Sequence, residues 1–66
     1  MNDKLQEKIL EFIREYHQQH KWAPSVREIA VGIGLKSPAT VQRHLGILQA
    51  RGRVIYQGKR RIRVVD

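Results

Sequence analysis

Residues 35–45 read LKSPATVQRHL, and Lys36, Ser37, Thr40, Gln42 and Arg43 crowd into this one stretch. Each of these side chains is a hydrogen-bond donor or a cation. Lys59, Arg60 and Arg61 form a second basic cluster near the end of the chain. Groups of this kind recognise an acceptor-rich, anionic partner through charge and directed hydrogen bonds. Bond-making chemistry is poorly provided for. The only serines, Ser25 and Ser37, stand where helices begin, and there is no cysteine. Glu7, Glu11 and Glu15 follow an i, i+4 spacing that makes a solvated ridge with no cleft. His17 and His20 lie one helical turn apart, but no carboxylate or cysteine completes a metal set. No glycine-rich phosphate loop is present. The expectation is no enzyme, no metal, no cofactor and no small-molecule substrate.

Charge supports a polyanionic partner. The chain carries a net charge of +7 in 66 residues. Residues 1–30 are balanced: Lys4, Lys8, Arg14, Lys21 and Arg27 oppose Asp3, Glu7, Glu11, Glu15 and Glu28. Residues 31–66 set Lys36, Arg43, Arg51, Arg53, Lys59, Arg60, Arg61 and Arg63 against Asp66 alone. Solubility does not require such segregation, whereas a nucleic acid or an acidic membrane surface would attract it. A 66-residue chain buries only about 60% of the surface its unfolded form exposes, so one small core is all it supports. No stretch approaches the ~20 apolar residues of a membrane span, and no leader pattern opens the sequence. A cytoplasmic location is expected, with no membrane as partner.

The elements that must position these residues follow from periodicity. Leu5, Ile9, Phe12, Ile13 and Tyr16 recur at helical spacing, predicting a helix over about 4–19. Asp3 and Gln6 have the spacing of a capping box at its start. Pro24 breaks the pattern, and Trp22 is expected to anchor this loop on the core, with stacking on a base as the alternative. Ser25 and Glu28 predict a second capping box and a helix over 26–33, buried through Val26, Ile29, Ala30 and Ile33. Gly32 and Gly34 are expected to end it in a left-handed turn. Ser37 should cap a third helix over 38–51, with Pro38 in its first position. Val41, Leu45 and Leu48 share one side of that helix, and His44 at its edge should bond a neighbouring carbonyl. Gly52 supplies the stop. VIYQGKRRIRVV then changes to a period of two, predicting a hairpin over 54–65. Putting the apolar set on one face pairs Tyr56 with Ile62 and Val54 with Val64.

The predicted fold class is mainly α with a small β-hairpin: a three-helix winged helix-turn-helix filling residues 1–66 as a single DNA-binding domain. In a helix-turn-helix the second helix enters the major groove and its first residues meet base edges. Opposite the apolar stripe lie Ala39, Arg43, Gly46 and Ala50, flanked by Thr40 and Gln42. The base-reading candidates are therefore Ala39, Thr40, Gln42 and Arg43. Arg43 has the geometry for guanine O6 and N7, or else clamps a phosphate; Gln42 suits adenine; Thr40 suits a thymine methyl or a phosphate. Ser37 and Lys36 are candidates for the backbone, although Ser37 also reads as a cap alone. Lys59, Arg60 and Arg61 at the hairpin tip would grip backbone and add affinity with little sequence information.

The residues that carry these readings also resemble a family. KLQEKILEFIREY, WAPSVREIAVGIGLKSPATVQRHLGILQARGRV and RIRVV together resemble the amino-terminal DNA-binding domain of the LexA family of bacterial repressors. PSVREIA, GLKSPATV and HL followed by L..RG are the most specific parts. The resemblance runs from about Leu5 to Val65, and implies a winged helix that reads operator DNA with Ser37, Ala39, Thr40, Gln42 and Arg43. It also implies a bacterial or phage transcriptional repressor. The family's second domain, which dimerises and cleaves itself through a serine–lysine pair, has no counterpart in these residues, so self-cleavage is not implied. QGKRR is a shorter and more basic hairpin tip than the family suggests. The expected partner is double-stranded DNA, as a palindromic operator bound by two copies. Ile55, Val65 and Leu10 are the candidate contacts between copies. The alternative is an interaction module that docks an acidic protein through the basic wing.

Overall fold

The computed structural model describes residues 3–58 and 61–65. Three helices, α1 (Asp3–His20), α2 (Val26–Gly32) and α3 (Pro38–Ala50), precede an antiparallel pair, β1 (Val54–Tyr56) and β2 (Ile62–Val64). This is the winged helix-turn-helix arrangement. The hairpin register pairs Val54 with Val64, Ile55 with Arg63 and Tyr56 with Ile62. Strict alternation is the reason: a one-residue slip would turn Val54 and Ile62, both buried, into solvent.

One hydrophobic cluster joins every element. It contains Ile9, Leu10 and Ile13 of α1, Ile29 and Ala30 of α2, Val41, Leu45 and Leu48 of α3, and Val54 and Ile62 of the hairpin. α1 packs on α2, α3 and β2 together. That breadth explains Leu10, which the periodicity left off the main stripe as a contact between copies. Leu10 is fully buried, because α1 is covered on more than one side.

Local chemistry sets the helix ends. Ser25 Oγ accepts from the Glu28 N–H (3.1 Å) and Glu28 Oε1 accepts from the Ser25 N–H (2.8 Å), a closed capping box. Tyr16 donates to the other Glu28 oxygen (3.1 Å) and so ties α1 to the start of α2. α2 and α3 each end in a Schellman motif. The Leu35 N–H reaches Ala30 O (2.8 Å) around Gly34 (φ 82°), and the Arg53 N–H reaches Leu48 O (2.8 Å) around Gly52 (φ 75°).

Three expectations for the loops and caps need correction. Gly32 does not adopt a left-handed conformation; it is the last residue of α2, and a Cβ there would collide with the Phe12 ring. Its role is close approach of α2 to α1. Gln6 does not serve a capping box, because Asp3 already lies within α1 and the Gln6 amide is turned into the interior. Trp22 is not the loop's anchor. It is 54% exposed, and Ala23 and Pro24 fill the interior in its place. The chain leaves α1 through Lys21 at φ 67°, and the indole turns outward beside His20, the two rings tilted by 41° with centroids 5.5 Å apart.

Candidate nucleic-acid interface

α3 has two unlike sides. Val41, His44, Leu45 and Leu48 are buried. Ala39, Gln42, Arg43, Gly46 and Ala50 are exposed, and Thr40 is half-buried. The sequence put these residues opposite the stripe because 3.6 residues per turn leaves them nowhere else to go. All four base-reading candidates therefore stand on the open part of one helix.

The start of α3 is unlike that of α2. Ser37 occupies the N-cap position in an extended conformation, but its hydroxyl makes no capping hydrogen bond. Only its carbonyl is used, accepting weakly from the Thr40 N–H (3.3 Å). The expectation of a serine cap is thus met by position and not by the side chain. The reason lies in ψ: 116° at Ser37 compared with 165° at Ser25, where the hydroxyl does close on the helix. Ser37 and Lys36 are both exposed beside the first turn of α3. The positive end of the helix dipole lies at the same place and favours an anion.

A buried polar clamp sets how α3 sits. The Gln6 side chain faces the His44 imidazole, with Nε2 to Nδ1 at 3.4 Å, and Arg51 donates from Nη1 to Gln6 Oε1 at 3.1 Å. An arginine can only donate, so Arg51 fixes which end of the amide carries oxygen. The amide NH2 then faces His44 Nδ1. His44 is 2% exposed and Gln6 8%. His44 is packed as expected, but its partner is a side chain of α1 and not a nearby carbonyl. α3 is also tied to the wing, because Gln49 Oε1 accepts from the Tyr56 N–H (2.6 Å).

The wing turns at Gly58, whose φ is 122°. The Arg61 N–H reaches Gly58 O (3.1 Å) and the Gln57 N–H reaches Arg61 O (2.9 Å). Lys59 and Arg60 lie outside the described residues. Arg61 is exposed and lines a shallow groove with Trp22, His17, Gln57 and Arg63, on the side of the loop after α1. The structure thus groups the α3 candidates on one helix, with Arg61 on a separate element. Ile55 is half-buried along that same groove, and Val65 is 43% exposed.

Sequence reasoning missed one large residue of the open face. Ile47 is 41% exposed, although it was not among the residues placed on that face. Its angular position, about 40° from Arg43 at 100° per residue, was a sufficient signal. Gly46 was placed correctly, but its lack of packing is visible only in three dimensions: an added Cβ meets nothing within 4 Å. Among the described residues, no group of three or more His, Cys, Asp or Glu side chains stands together as a metal set. No helix there is long and apolar enough to cross a membrane.

Known proteins share this pattern. The family model of the LexA DNA binding domain matches residues 3–61. The LexA repressor of Carboxydothermus hydrogenoformans is 43% identical over 47 residues, 71% of this chain and 23% of that protein. LexA repressor 1 of Nocardia farcinica is 47% identical over 47 residues, 71% of this chain and 22% of that protein. The LexA repressor of Caldicellulosiruptor saccharolyticus is 47% identical over 49 residues, 74% of this chain and 24% of that protein. The match therefore spans about a quarter of each relative's length. With a helix-turn-helix, a wing and a family match covering nearly every described residue, the chain belongs to the LexA DNA-binding domain family.

Proposed function

We propose that the chain is a sequence-specific double-stranded DNA-binding transcriptional regulator, a repressor of the LexA type. α3 enters the major groove. Ala39, Thr40, Gln42 and Arg43 meet base edges there, with Arg43 bidentate to a guanine and Gln42 on an adenine. Ser37 and Lys36 hold phosphate at the start of the helix. Lys59, Arg60 and Arg61 grip backbone from the wing, so that residues 1–66 act as one DNA-binding unit. The observation that carries this reading is α3 itself: its inner side is consumed by the core, and its outer side presents Arg43 among mostly small and polar residues, with no carboxylate. Repression follows from occupying a promoter.

One copy would read a few base pairs and hold weakly. Two copies on half-sites about one helical turn apart would bind as a palindrome. Selection of bound sites from random duplex DNA at moderate salt tests all of this. A palindromic consensus containing guanine and adenine steps is expected. Absence of enrichment over random duplex would overturn the proposal and favour docking of an acidic protein on the wing.

A further inference from the structure

Ile47 is an apolar side chain left in water on the helix proposed to read bases. Among the described residues the large exposed apolar side chains are Trp22, Val31, Ile47 and Val65, and only Ile47 belongs to α3. It cannot turn inward, because Val41, His44, Leu45 and Leu48 already occupy the inner side. Round the helix it lies about 20° from Thr40 and about 40° from Arg43, one turn beyond Arg43 along the axis. It thus shares the sector of Thr40 and Arg43.

Its neighbour Gly46 sharpens the point. Glycine inside a helix is less favourable than alanine by about tenfold or less in equilibrium terms. Nothing in the fold requires it, since φ is ordinary and the space beside it is open. A missing Cβ next to an exposed isoleucine is what close approach of another surface would use. The major-groove edge of thymine offers the matching chemistry, a C5-methyl group beside a hydrogen-bond acceptor.

We infer that Ile47 is a specificity-determining residue that packs against the methyl group of a thymine in each half-site. The inference rests on the reading of α3 as the base-reading helix. It adds an apolar contact to the polar ones and gives Gly46 its role, which is to let the α3 backbone approach the groove. Burial of one methyl group corresponds to about a fourfold change in affinity.

The test replaces each thymine of the selected duplex singly with uracil, which lacks the methyl group but keeps the same hydrogen-bonding edge. The unaltered protein should lose about fourfold at one thymine per half-site. Ile47→Ala should bind the thymine site about fourfold more weakly and be indifferent to uracil at that position. Ile47→Val should remain sensitive, and circular dichroism should show both variants folded. Indifference of the unaltered protein to uracil at every position would overturn the inference while leaving the reading of α3 intact. So would full uracil sensitivity in Ile47→Ala. Failure to select any site would overturn the reading itself, and the inference with it.

Discussion

α1 and α3 contribute to the same core and differ in the carboxylates they show to solvent. Each buries one side: Ile9, Leu10 and Ile13 from α1, and Val41, Leu45 and Leu48 from α3. Outside, α1 carries Glu7, Glu11 and Glu15, all exposed. α3 has no carboxylate anywhere along Pro38–Ala50. A ridge of carboxylates repels phosphate, so only one of the two helices can face a nucleic acid. Inner sides decide whether the chain folds, and outer sides decide what it meets.

The largest effects should be shared by the two inner sides. Ile9→Ala and Leu45→Ala, both fully buried, should each cost about 2–5 kcal/mol of stability. Urea denaturation measures both, and a small loss for either would break the picture of one common core.

The outer sides should then separate. Arg43→Ala should leave thermal stability nearly unchanged. On the preferred site it should cost about 1–3 kcal/mol and relax specificity. Glu11→Ala should leave the affinity equal or slightly raised. Arg61→Ala should weaken all duplexes alike and lower the salt slope by about one. Equal losses for Arg43→Ala on every sequence would remove Arg43 from base reading.

Backbone conformation offers a finer contrast. The chain leaves α1 on Lys21 at φ 67°, where glycine would fit better. α3 carries Gly46, where nothing in the fold asks for glycine. Lys21→Gly should raise stability by about 1 kcal/mol and leave DNA binding alone. Gly46→Ala should raise stability by about 0.5–1 kcal/mol and weaken DNA binding. Melting temperature and duplex titration on the same two variants check the pair. A Gly46→Ala protein that binds DNA undiminished would separate this residue from the interface.

The smallest effect concerns a contact between the acidic ridge and the basic half, Glu7 with Arg53 at 3.5 Å. Both side chains are largely exposed. Glu7→Gln should change the free energy of unfolding by less than about 1 kcal/mol, and less still at high salt.

Much of the architecture was legible because it is written in short-range spacing. The Ser25–Glu28 box, the turns at Gly34 and Gly52, the inner stripe of α3 and the hairpin register all depend on residues a few positions apart, or on simple alternation. The open face of α3 was legible for the same reason, since it is the complement of that stripe. Other features were hidden. Gln6 has the spacing of a cap partner, yet it reaches His44 and Arg51, far along the chain. Ser37 has the type and position of a capping serine, but its ψ withholds the hydroxyl. Trp22 is the largest side chain in its loop and still faces solvent, because the turn at Lys21 sends Ala23 and Pro24 inward.

The sequence by itself determined the helices, the Ser25–Glu28 box, the glycine turns at Gly34 and Gly52, the parity of the wing and the segregation of charge. Each is a property of neighbouring residues and needs no knowledge of what packs where. Only the tertiary structure decided that Leu10 is covered, that Gln6 clamps α3 and that Gly32 admits Phe12. Those outcomes depend on which surfaces meet across the core, and spacing along one helix does not specify its partners.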